Sequence, residues 1–187
     1  EFKPKYGKVL VFAEQDSEAL GGTANYKNGY LDHFETPSGI TLYSNLSPGD
    51  QSYAYFLKGL DGLKTKANWG AGDTCAQYFV DDERYNNTKL AISLSMVNHE
   101  KNVAKGKHDK LIVELGEWIK STNRPVFLRI GYEFDGWDWN NYKKKPFLKA
   151  WKRIHNIFRK IRVENVAFVW QSKGTGSNQE VLEDWYP

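Results

Sequence analysis

Residues 124–140, RPVFLRIGYEFDGWDWN, gather the side chains best suited to chemistry. An apolar run leads through Arg129 to a single carboxyl group, Glu133. The loop after it supplies Asp135, Trp137, Asp138, Trp139 and Asn140. A carboxylic acid beside an apolar wall can hand over a proton, and indole faces grip the C–H surfaces of a sugar. Together they suit a site that holds a sugar and protonates the bond to be broken. The alternative for Arg129 and Glu133 is a buried ion pair that only holds the fold. The alternative for the loop is an ordinary turn, which Asp and Gly serve well. Two tryptophans in a turn nevertheless need a rim or a ligand to pack on.

Other chemistries find little support. Cys75 is the single cysteine, so neither an intrachain disulfide nor a thiolate metal site is available. His33, His99, His108 and His155 have no carboxylates at metal-ligand spacing, so no metal and no cofactor is expected. No G-x-S-x-G elbow occurs. Asn68–Asp73 (NWGAGD) and Gly174–Ser177 (GTGS) are glycine-rich, but they lack the Gly-Lys-Ser/Thr ending of a phosphate loop and read as rim loops.

The formal net charge is only +3, and Lys143–Lys145 form the one tight basic cluster, so no nucleic-acid partner is expected. The longest apolar runs fall far short of the roughly 20 residues of a membrane-spanning helix, so no membrane partner is expected either. The chain opens on EFKPKYGK, as a mature chain does once a signal peptide is gone. Aromatic residues reach 15%, many of them beside polar neighbours, a surplus that suits either sugar stacking or an aromatic core.

The elements that must carry Glu133 alternate in type. Short apolar runs predict strands at Lys8–Ala13, Ile40–Ser44, Leu90–Val97, Val126–Glu133 and Val166–Gln171. Helical spacing appears over Ser52–Leu60, Lys107–Ser121 and Pro146–Ile161. The last has a wide apolar stripe through Phe147, Trp151, Ile154 and Phe158, with proline in its first turn. Such alternation predicts βα units and a mostly parallel sheet in a single domain. Strand parity puts Phe127, Arg129, Gly131 and Glu133 on one face, with Gly131 leaving room between Arg129 and Glu133. Leu128, Ile130 and Tyr132 fall on the other face, toward the helices. In a closed barrel the first face opens at the C-terminal rim. Trp170 and Gln171, at the end of the fifth strand, reach that rim, as do Glu14 and Asp16 after the first.

At this point the residues resemble a known family. RPVFLRIGYEFDGWDWN, the following FLKAWKRIHNIFRKIRVENVAFVWQS and the closing EDWYP look like the acid/base strand region of glycoside hydrolase family 26. That resemblance implies an α/β fold, a (β/α)8 TIM barrel of which this chain covers roughly the first five βα units. It implies a retaining endo-hydrolase acting on a β-linked polysaccharide, secreted, with the oligo- or polysaccharide as its partner. Glu133 matches the general acid/base. Arg129 matches the family's strand-four arginine and Trp170 its strand-five tryptophan near the cleavage site, and Tyr132, Asp135, Trp137, Trp139, Asn140 and Gln171, with Trp69 and Asp73 from the WGAGD loop, are expected as further substrate contacts. Tyr132 stands where the family's mannanases have histidine, and G-Y-E-F-D-G looks more like the endo-β-1,3-xylanase branch. β-Mannanase activity, or carbohydrate binding without catalysis, are the alternatives. A retaining mechanism needs a second carboxylate about 5 Å from the first. The family carries it on a later strand, and a TIM barrel takes about 250 residues. Residues 1–187 are therefore expected to be one catalytic domain, incomplete at its C-terminal side and a poor catalyst alone.

Overall fold

The computed structural model describes residues 2–13, 20, 28–52, 55–68, 72–174 and 179–187. Glu14, Asp16 and Trp69, named above, lie outside the described residues, as does most of the Gly174–Ser177 loop. The central sheet has five parallel strands: β1 (Phe12–Ala13), β2 (Gly39–Asn45), β3 (Lys89–Ser95), β4 (Val126–Ile130) and β5 (Val166–Val169). They lie side by side in chain order. This is a mixed α/β fold whose sheet is compatible with part of a barrel.

Register divides the sheet into two faces. Ile40, Leu90, Val126 and Val166 form one cross-strand row, and Leu42, Ile92, Leu128 and Phe168 the next. These rows belong to the apolar core, with Ile40, Leu42, Leu90, Ile92, Val126 and Leu128 fully buried. The helices α1 (Ala76–Asp81), α2 (Glu100–Ala104), α3 (Asp109–Thr122), α4 (Lys144–Lys160) and α5 (Gln179–Asp184) complete the described elements of regular helix. α3 gives the core Ile112, Leu115, Trp118 and Ile119, and α4 gives Phe147, Ala150, Ile154 and Phe158. Both sets recur every three to four residues, so each helix buries one stripe. Burying each such side chain contributes about 1.5–3 kcal/mol, enough to fix which face of the sheet the helices cover. Pro146 fits the first turn of α4, where backbone N–H groups have no helical partner.

The opposite rows are smaller and more polar: Thr41, Ala91, Phe127 and Ala167, then Tyr43, Ser93, Arg129 and Val169. Thr41, Tyr43, Phe127 and Arg129 are half-buried there. Phe2 and Phe12 close the lower end of this face, their rings edge-on to Phe127 at 5.3 and 5.5 Å.

Three expectations change. The helix foreseen over Ser52–Leu60 is instead an antiparallel hairpin of Ser47–Ser52 with Tyr55–Gly59. Its aromatic residues favour the extended chain, and so short a window carries no decisive helical stripe. The first strand pairs only at Phe12–Ala13, while Val9 stays exposed. The fourth strand ends at Ile130 rather than Glu133, and that difference shapes the site.

Candidate active site

Directly after β4 the backbone turns left-handed twice, at Gly131 (φ +55°) and at Glu133 (φ +50°). Strand alternation stops there. A Cβ on Gly131 would lie 2.5 Å from Cε2 of Phe147 and 3.1 Å from Cε of Met96, so that position faces the core and makes no room beside Arg129. Tyr132 accordingly changes sides. Its ring stands edge-on to Tyr43 at 5.3 Å, and the Arg129 guanidinium carbon lies 5.6 Å from its centroid, so it belongs to the open face. Tyr43 was missed in the sequence, although its place on the odd-numbered face of β2 marked it.

A left-handed glutamate costs of order 1 kcal/mol and persists only where its surroundings hold it. Here Asn140 does so. Its buried Nδ2 donates to the carbonyls of Tyr132 and Glu133, both at 2.8 Å, while Gly136 N donates to Glu133 O at 2.9 Å. Asp135, fully buried, accepts from Ser172 Oγ and from Lys173 N, each at 2.7 Å. Phe134 N donates to Gln171 O at 3.3 Å. The Glu133 loop is thus fastened to the segment that follows β5. Asp135 and Asn140, foreseen as sugar contacts, have these side-chain groups engaged within the protein.

Aromatic packing reinforces the fastening. Buried Phe134 stacks on Trp170 (4.8 Å, 17°) and on Trp185 (5.5 Å, 22°). Tyr186 meets Trp170 edge-on at 5.5 Å, and Trp137 meets Trp185 at 5.4 Å. Trp170 therefore lies just past the end of β5, with one face against Phe134. Trp137 remains 46% exposed and Trp139 41%, the two most exposed indoles among the described residues.

Among the described residues the Glu133 carboxylate has one side-chain partner: Trp139 Nε1 donates to Oε2 at 2.9 Å. The same indole has Lys173 Nζ 5.4 Å from its ring centroid. No ion pair joins Arg129 to Glu133 among the described residues. The buried Arg–Glu pair is therefore not formed, and Arg129 faces Tyr132. Its Nε, together with Asn45 Nδ2, Ser93 Oγ, Trp170 Nε1 and Gln171 Oε1, is buried with no hydrogen-bond partner among the described residues. Such atoms have spare capacity for a polar partner. Asp73 lies in a small hairpin of Ala67–Asn68 with Asp73–Thr74, where it accepts from Asn68 at 3.2 Å and pairs with Lys66 at 3.5 Å.

The arrangement offers a carboxyl group at the C-terminal end of a parallel strand, flanked by exposed indoles. Two curated proteins align with almost the whole of the chain that builds it. The chain is 31% identical over 187 residues to "Beta-1,3-xylanase TXYA" of a Vibrio species, covering 96% of this chain and 35% of that protein. It is 28% identical over 183 residues to a "Beta-1,3-xylanase" of an Alcaligenes species, covering 96% of this chain and 34% of the relative. The chain thus spans about a third of the length of the curated relatives it matches. No family model matches the chain.

The similarity to these xylanases runs through sheet and Glu133 loop alike, since almost the whole chain aligns. Among the described residues no group of three or more His, Cys, Asp or Glu could hold a metal ion. No described helix is long and apolar enough to cross a membrane.

Proposed function

We propose that this chain is the acid/base part of a secreted, retaining endo-β-1,3-xylanase of the glycoside hydrolase family 26 type. In this proposal residues 1–187 form the first five strands of one (β/α)8 catalytic domain. Glu133, as the acid, protonates the leaving glycosidic oxygen. A nucleophilic carboxylate outside these five strands attacks the anomeric carbon. Glu133, now a carboxylate, removes a proton from the water that releases the product with retained configuration. Carboxyl chemistry of this kind requires no cofactor. Trp137 offers an exposed stacking face to a sugar ring, and Arg129 and Tyr132 border the open face of the sheet beside Tyr43.

The observation that carries the proposal is the similarity, over 96% of the chain, to two proteins named β-1,3-xylanases. The position of Glu133 supports it physically: a carboxyl group beyond a strand's C-terminal end, in a backbone conformation held by Asn140. The test is hydrolysis by the full-length protein of β-1,3-xylan, β-1,4-xylan and β-mannan, followed by reducing ends. Release from β-1,3-xylan above the others supports the proposal. Preference for mannan would reassign the substrate, and binding of xylo-oligosaccharides without any release would leave a carbohydrate-binding protein.

A further inference from the structure

We infer that Trp139 is a positioning residue that gives the two Glu133 oxygens separate tasks, with Oε2 held by the indole N–H and Oε1 carrying the proton. The inference rests on the proposed acid/base role of Glu133. It reassigns Trp139 from a sugar platform to a group acting through the carboxylate.

The indole nitrogen can only donate. The oxygen it faces must therefore accept, and the carbonyl oxygen of a protonated acid accepts better than its hydroxyl oxygen, which favours the hydrogen on the other one. With Trp139 Nε1 at 2.9 Å from Oε2, a protonated Glu133 carries its hydrogen on Oε1. In the first half of the reaction the Oε1–H bond breaks, the proton passes to the glycosidic oxygen, and that oxygen leaves with the C–O electron pair. In the second half Oε1 takes a proton from water while the water oxygen bonds to the anomeric carbon, the bond from that carbon to the nucleophilic carboxylate breaks, and the acid is restored. Oε2 keeps its indole bond throughout.

The indole is itself fixed, as this task requires. A Cβ on Gly136 would lie 2.5 Å from Trp139 Cε2 and 2.6 Å from its Nε1, so only glycine admits the ring at this distance. Lys173 Nζ lies over the ring at 5.4 Å, in the range where a cation is held by an indole face. Lys173 is anchored in turn, its amide bonded to Asp135. The acid/base group, its donor and the cation over the donor thus come from two strand-end segments that Asp135 locks together.

The test has two arms. In the full-length protein labelled with 15N-tryptophan, the Trp139 indole N–H resonance is identified by its loss in Trp139→Phe. It is expected to move upfield in Glu133→Ala and to stay in place in Asp138→Asn. An unchanged resonance in Glu133→Ala overturns the inference. In the second arm, Trp139→Phe keeps a ring for Lys173 and for any stacked sugar but removes the N–H. Turnover of β-1,3-xylan is expected to fall about 10–100-fold with KM within about twofold. Wild-type turnover in Trp139→Phe overturns the inference alone, provided Glu133→Ala is inactive. Wild-type turnover in Glu133→Ala overturns the acid/base proposal, and this inference with it.

Discussion

Ser172 donates its hydroxyl hydrogen to Asp135 across 2.7 Å, and this contact ties the loop bearing Glu133 to the segment that follows the neighbouring strand. Lys173 N makes the second bond to the same carboxylate at 2.7 Å. Asp135 is fully buried, so both bonds form away from water. Hydrogen bonds to a buried charge are among the stronger ones, and losing the acceptor leaves donors unpaired.

Asp135→Ala should therefore destabilise the chain by about 2–4 kcal/mol, measured by urea unfolding. Asp135→Asn keeps one acceptor oxygen and should lose about half as much. Equal stability of wild type and Asp135→Ala would mean that the clamp contributes nothing.

Asn140 provides a test of charge against shape. Its Nδ2 donates to two carbonyls, Tyr132 O and Glu133 O. Asn140→Asp replaces that donor by a carboxylate oxygen facing two acceptors, so it should destabilise more than Asn140→Ala, despite its closer shape. A loss of about 1–3 kcal/mol is expected for alanine. The reverse order would show that the side chain does not hold the turn.

Arg124 fastens the other end of β4. Its guanidinium donates to the carbonyls of Phe79 (2.6 Å), Tyr85 (2.8 Å) and Val80 (2.9 Å). Burial lowers its pKa from the ordinary arginine value. Arg124→Met should cost about 2–4 kcal/mol by stranding those acceptors. Arg124→Lys should recover only part, because an ammonium cannot reach three carbonyls in a planar fork. Chemical denaturation of the two variants reads this directly.

Asp109 and Arg153 give the pH dependence. Arg153 donates to both Asp109 oxygens, at 2.6 and 2.5 Å, and this hydrogen bonding holds the carboxyl below the ordinary aspartate pKa against the opposing effect of burial. A folded-state pKa below the unfolded one stabilises above the unfolded value, about 3.9. That stability is lost as pH falls through the lower folded value. Since both side chains are more than a third exposed, the pair should contribute no more than about 1 kcal/mol. The stability gap between wild type and Asp109→Asn should be constant above about pH 5 and close progressively below about pH 4. A gap that instead widened on acidification would contradict this assignment.

Much of this fold was legible because burial leaves a pattern. Val126–Ile130 is a short, nearly continuous apolar run, and Phe147, Ile154 and Phe158 recur at helical spacing, so strand and helix both follow from the apolar positions. The site was only partly legible. Parity arguments assume an extended backbone, and the left-handed Gly131 and Glu133 end it. That conformation is held by Asn140, and the loop by Ser172 and Lys173, whose partnership with residues near Glu133 no local pattern announces. Trp170 illustrates the same limit. Its place just past the fifth strand followed from the apolar run, but its stacking on Phe134 depends on how two loops meet. Parity put Tyr132 on the helix side, which the structure corrects, because its side depends on the same turn.

The most direct test of the central proposal compares Glu133 with Glu133→Gln in the full-length protein on two substrates. One is β-1,3-xylan; the other is an aryl β-xylobioside whose phenolate leaves without protonation. If Glu133 is the acid/base, turnover of β-1,3-xylan falls about 100- to 10,000-fold. The pre-steady-state burst of phenolate from the aryl substrate, which reports the first half-reaction, survives nearly intact. Reducing ends released from β-1,3-xylan by Glu133→Gln within a few-fold of wild type would contradict the account.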